Sequence, residues 1–196
     1  MVDFWVGLYL AALVSLFFTA TVKRAYLWYG VNSLMLGLIA LSVWQQTADM
    51  ALLISGLITL LLKGFLIPWL LIRSSDWLGM RRYLKSSIPL QFNLLLIPAI
   101  VVGSWYLFSP LEASFGGTAR YMAIAVATML LALLYMVEQR HIAAKIVGFL
   151  LLENSLFLLG TLATSGMPML VELGVFFDLL MAVLVINILL RQEANA

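Results

Sequence analysis

Long apolar runs alternate with short polar joints along the whole chain. Cut at those joints, the runs cover roughly 4–22, 27–44, 50–72, 88–108, 120–137, 143–164 and 169–190. Each is about 18–23 residues, enough at ~1.5 Å per residue to cross a hydrocarbon core of ~30 Å. None shows the in-out alternation of a barrel strand, and a backbone in lipid must satisfy its own hydrogen bonds. The pattern predicts an all-α integral membrane protein of seven transmembrane helices.

Composition narrows the chemistry. Of 196 residues, 64% are hydrophobic and 10% charged, against about 25% charged in a soluble domain. With no cysteine there are no disulfides, thiolate metal sites or cysteine-ligated clusters, and one histidine, His141, cannot build a haem or zinc centre alone. No catalytic motif of the soluble kind is visible. The chain reads as a non-catalytic protein with no cofactor or metal of its own, and nothing points to nucleic acid.

Orientation follows from the basic residues. Lys23, Arg24, Arg73, Arg81, Arg82, Lys85, Arg140, Lys145 and Arg191 fall in joints on one side; Arg120 alone falls on the other. That opposite side also carries Asp3, the 45–49 joint, Glu112 and the 165–168 joint. The alternation predicts an N-terminus outside and a cytoplasmic C-terminus in the cell inner (plasma) membrane. The first helix is preceded by Asp3 and followed by positive charge, so it reads as a retained helix. The longest joint, 73–87, is basic and holds Trp77 and Tyr83, as an interfacial segment would. No internal repeat of the kind that marks many secondary transporters stands out.

Four ionisable residues interrupt the apolar runs: Lys63, Glu153, Glu172 and Asp178. A charge at the centre of a membrane helix costs at least about 2.5–3.5 kcal/mol, so it persists with a partner or a task. Counting from the helix ends puts Lys63, Glu153 and Asp178 within about 5 Å of one mid-membrane level. Glu172 lies one turn from the outer end. Ser55, Gly56 and Thr59 share the face of Lys63; Gly174 and Ala182 flank Asp178 at helical spacing; Gly160 follows Glu153. Small and hydroxyl residues let helices approach closely, so these faces are expected to turn toward protein or water.

Two readings of these residues compete. Lys63 can form a structural ion pair with Glu153 or Asp178, which by itself says little about stability. Alternatively the groups form a proton relay, since a buried acid and a buried base that hold each other charged change protonation together. Glu172, in the first turn after Pro168, also suits a helix N-terminus for structural reasons. Pro68, five after Lys63, removes a helix donor and suggests a kink or hinge. Asn154 reads as an interhelix hydrogen bond, Thr59 as a polar neighbour of Lys63, and His141 as a solvated joint residue. Asn93 and Pro98 fit no pattern.

The run Glu138-Gln-Arg-His-Ile-Ala-Ala-Lys-Ile-Val-Gly-Phe-Leu-Leu-Leu-Glu-Asn154, followed by Pro168-Met-Leu-Val-Glu-Leu-Gly-Val-Phe-Phe-Asp178, resembles membrane component E of the hydrogenase-four and formate hydrogenlyase complexes. Leu62-Lys63-Gly-Phe-Leu-Ile-Pro68 resembles that family's lysine-then-proline segment. More distantly, the last three helices resemble the K-type subunit of respiratory complex I and the C subunit of multisubunit cation/proton antiporters. Asp178 matches that subunit's third-helix acid, and Glu153 lies about one turn from its second-helix acid. The resemblance divides the chain into a five-helix region, 1–137, containing Lys63, and a part 138–196 that is K-subunit-like together with helix 120–137.

What the resemblance implies is a multi-pass subunit of an energy-converting, complex I-related assembly. The chain would relay protons laterally between the membrane anchor of a hydrogenase arm and antiporter-like subunits. Glu153, Asp178, Lys63 and Glu172 would carry the relay, supported by Asn154 and Thr59. The alternatives are a C-type antiporter subunit, a stand-alone secondary transporter and a passive scaffold.

Overall fold

A computed structural model describes residues 2–77, 83–84, 86–111, 113, 116 and 118–163, with the backbone alone at 74–77 and 163. The described chain is helical, and no strand forms among these residues. Helix α1 spans Val2–Phe17, α2 Val22–Thr47 and α3 Met50–Ile58. A π-helical segment, Thr59–Leu66, leads into α4, Ile67–Trp77. Then come α5, Leu90–Phe108, α6, Thr118–Glu138, and α7, Ile142–Ala163.

Five of these stretches are long and apolar enough to cross a membrane: Val22–Thr47, Met50–Arg73, Leu90–Leu111, Thr118–Glu138 and Ile142–Leu162. This is a multi-pass membrane protein. The seventh expected span, 169–190, lies outside the described residues, as do Glu172 and Asp178.

Helix ends depart from the ends of the apolar runs for identifiable reasons. The first helix has 16 residues and stops at Phe17, short of the expected 4–22. There the Thr19 hydroxyl donates to the Leu16 carbonyl at 2.7 Å, and the Phe18 and Thr19 amides make three-residue turns to Ser15 and Leu16. Conversely, α2 and α4 run beyond their apolar runs into polar sequence, because arginine, serine and aspartate do not stop a helix unless a breaker follows. Helix α2 ends where Ala48 takes a left-handed conformation with φ 55°. The 73–87 joint is thus helical as far as Trp77.

Helix α2 lies against α1 on one side and against α3, the π segment and α4 on another, and it also touches α7. Helices α6 and α7 form an antiparallel hairpin, with α5 packed on α6. Glycine sets the closeness of α2 to the π segment. A Cβ on Gly30 would sit 3.1 Å from Pro68 Cγ and 3.2 Å from the Gly64 carbonyl; one on Gly37 would sit 2.6 Å from Leu60. Helix α7 has no single polar face, as suits a helix surrounded by others. It is the most enclosed of the five long spans.

Candidate functional site

The π segment determines where Lys63 points. Pro68 offers no N–H, so the Gly64 carbonyl cannot receive the α-helical bond from four residues on. The preceding turns widen, and the Ile67 amide reaches back five residues to Leu62. Single π turns often mark functional positions; here the segment runs for eight residues with Lys63 inside it. Ser55, Thr59 and Lys63 are all buried, with Gly56 and Gly64 on the same packed side. The predicted kink at Pro68 takes the form of this wide helix.

Lys63 meets an acid from the far end of the sequence. Its Nζ lies 3.1 Å from Glu153 Oε1, with side chains 1% and 7% exposed. At the centre of α7, Glu153 is followed by two polar residues that each engage another helix. The Asn154 amide donates to Asn32 Oδ1 at 3.1 Å and to Ser33 Oγ at 2.9 Å, both on α2. Ser155 Oγ gives its proton to the Leu151 carbonyl at 2.9 Å, so at 3.2 Å it accepts from the Tyr9 hydroxyl of α1. Asn32 Nδ2 in turn donates to the Tyr9 carbonyl at 3.0 Å. Three consecutive residues sweep about 200° of a helix, so this arrangement requires neighbours nearly all round α7.

The result is a polar layer inside apolar walls, made by α1, α2, the π segment and α7. Three kinds of group share it: an ammonium, a carboxylate, and neutral amides and hydroxyls that fix their surroundings. A low-dielectric interior strengthens each of these bonds and raises the cost of leaving any group unmatched. Chemically, the pair can hold two charges or, after one proton transfer, none.

Of the residues singled out in the sequence, Lys63, Glu153, Asn154 and Thr59 are buried, the first two joined directly. His141 is half-buried at the start of α7, where its Nδ1 accepts the Ala143 amide at 3.2 Å; it caps a helix. Arg120 lies at the opposite end, 2.7 Å from Asp3 Oδ1, beside Tyr121, whose hydroxyl donates to the same oxygen at 2.9 Å. A cavity of about 240 Å³ opens there among Asp3, Gln46, Thr47, Thr118, Tyr121 and Thr161. Among the described residues no group of three or more His, Asp or Glu is placed to hold a metal.

Sequence reasoning missed Tyr9, Asn32, Ser33 and Ser155, which look ordinary in an apolar run. It also missed Glu138, which is 1% exposed at the end of α6.

No family model matches the chain, and no solved structure matches it. Among curated proteins, the chain is 31% identical over 143 residues to an uncharacterized protein of Mycobacterium tuberculosis, covering 72% of this chain and 65% of that protein. It therefore spans less than two thirds of that relative's length. It is also a homologue of Hydrogenase-4 component E from Escherichia coli K12, 29% identical over 165 residues. That match covers 84% of this chain and 76% of component E, and the Shigella flexneri component E matches equally.

Proposed function

We propose that this chain is a membrane subunit of a hydrogenase-related complex and that it relays protons sideways through the bilayer without catalysing the redox step. The observation that carries the reading is the Lys63–Glu153 pair, 3.1 Å apart and shielded from solvent. A buried pair stabilises little compared with packed apolar side chains, so its presence asks for a task. Homology to component E of hydrogenase 4 supplies the setting.

In this reading a proton arriving near the pair neutralises Glu153 and loosens its hold on Lys63. The lysine, poorly solvated, then sheds its own proton toward the next group. Asp178 and Glu172, in the expected seventh span, carry the step onward, toward antiporter-like subunits on one side and the membrane anchor of the hydrogenase arm on the other. Asn154 and Thr59 hold the surroundings fixed while charge moves. The basic joints face the cytoplasm, and the membrane is the plasma (inner) membrane. A kinship of the last three helices with the complex I K-type subunit is part of the same proposal.

The test uses the assembled complex in inverted membrane vesicles. Asp178→Asn is expected to leave assembly and hydrogen or formate turnover with artificial redox partners intact while proton movement falls. Unchanged coupled proton movement in that variant removes Asp178 from the relay. The chain alone in liposomes is expected to move nothing; substrate or ion transport by it would favour the stand-alone transporter.

A further inference from the structure

The cavity at the end of the bundle opposite the basic joints is bounded by four helices. Helix α1 contributes Val2 to its wall, α2 Val43 and Gln46, α6 Tyr121, and α7 Thr161. Hydroxyls are prominent in the lining. Tyr121 gives its proton to Asp3, and Thr47 gives its own to the Val43 carbonyl at 3.1 Å, so each has lone pairs left to offer. Thr161 is 2% exposed, and its hydroxyl has no hydrogen-bond partner among the described residues. A buried hydroxyl is costly to leave unmatched, and the cavity is where a partner fits. Its volume of about 240 Å³ is far above the ~10–15 Å³ that one water needs.

Inward from the cavity, the four helices repeat one order of residues. On α1, Val2 lines the wall, Val6 is buried and apolar, and Tyr9 joins the polar layer. On α2 the order is Val43, then Ala40, Ile39 and Leu36, then Ser33 and Asn32. On α6 it is Tyr121, Ala125 and Thr128, whose hydroxyl lies beside that of Tyr9. On α7 it is Thr161, Leu158 and Ser155, with Glu153 beyond. Val6, Leu36, Ile39, Ala40, Ala125 and Leu158 pack in one cluster, each 1% exposed or less. On α1, α6 and α7 the wall and the polar layer are six or seven residues apart, about 9–10 Å. A single apolar layer thus divides a hydroxyl-lined cavity from the site of Lys63 and Glu153.

We propose that this cavity is a water-filled vestibule, the outer aqueous access of the proton path, closed on its inner side by the apolar layer around Leu158. Apolar constrictions shed water and block conduction until they widen. Water and small monovalent cations therefore reach Thr161 and stop there. At the mouth, Asp3 holds α1 against α6 through Arg120 and Tyr121, at 2.7 and 2.9 Å. The vestibule stands on the cavity and its hydroxyls alone; its place on a proton path rests on the relay reading of the ion pair.

Cysteine substitution tests it, because the chain has no cysteine of its own. A charged methanethiosulfonate does not cross lipid, and it reacts with a thiolate, which forms in water and not in an apolar core. The thiolate attacks the sulfenyl sulfur, a mixed disulfide forms, and methanesulfinate leaves. Right-side-out and inside-out vesicles bearing the full complex are treated, and peptides of this chain are read by mass spectrometry. Thr161→Cys and Val43→Cys, two buried wall positions, are expected to label from the outer side at least about tenfold faster than Leu158→Cys. Equally slow labelling at all three positions means a dry cavity and overturns the proposal. Labelling from the inner side alone overturns it too, as does Leu158→Cys reacting as fast as the wall. Once Thr161→Cys is labelled, proton movement driven by hydrogen or formate turnover is expected to fall while turnover with an artificial redox partner persists. Proton movement at the unlabelled rate overturns the access role. Labelling does not depend on Lys63 or Glu153, so failure of the relay reading and failure of the vestibule are separate results.

Discussion

Lys63 on the π segment and Glu153 on α7, ninety positions apart in the chain, meet at 3.1 Å with almost no exposed surface. Each is the other's partner in a medium where a lone charge costs several kcal/mol. The first expectation follows from that dependence. Glu153→Leu alone removes the carboxylate that faces the buried Lys63 ammonium and should destabilise the fold by about 3–5 kcal/mol, whereas Lys63→Met with Glu153→Leu should recover most of the loss. Thermal unfolding of the complex in detergent measures both. Equal losses in the single and double variants would mean the two residues do not depend on each other.

Asn154 ties α7 to α2 by donating to both Asn32 and Ser33. Asn154→Leu fills similar space and leaves the Asn32 carbonyl oxygen buried without that donor. A cost of about 1–3 kcal/mol is expected, read as a lowered midpoint in the same unfolding assay. A neutral result would indicate that water replaces the amide.

Gly30 sits under Pro68 and the Gly64 carbonyl, with 3.1 and 3.2 Å available to a Cβ. Gly30→Val adds branched bulk against a ring and a backbone oxygen, neither of which can turn aside. Forcing α2 from the π segment should cost about 1–3 kcal/mol and lengthen the Lys63–Glu153 contact. Cysteine cross-linking between α2 and α4 is expected to weaken in this variant.

Much of the site was legible before any coordinates, and the reasons are specific. Lys63 and Glu153 stand out because a charge in an apolar run is costly wherever the helix faces. The small residues around Lys63 marked its buried side. Tyr9, Asn32, Ser33 and Ser155 gave no such signal: neutral polar residues are tolerated in membrane helices, and α7 has no polar face to orient it. Glu138 escaped notice because it falls in a joint crowded with Arg140, His141 and Lys145, where charge normally means solvent. Only packing by the 86–89 segment and Asn93 buries it. Helix ends were misplaced at α1, α2 and α4 since hydropathy reports where lipid ends, while hydroxyl caps and left-handed residues decide where a helix stops.

Glu153→Gln offers the most direct measurement. The variant keeps the shape and a hydrogen bond to Lys63 but cannot take up or release a proton. In inverted vesicles bearing the whole complex, proton movement driven by hydrogen or formate turnover is expected to collapse while turnover with an artificial redox partner persists. Proton movement at the wild-type rate and stoichiometry in Glu153→Gln would contradict the account and leave the pair as structure alone.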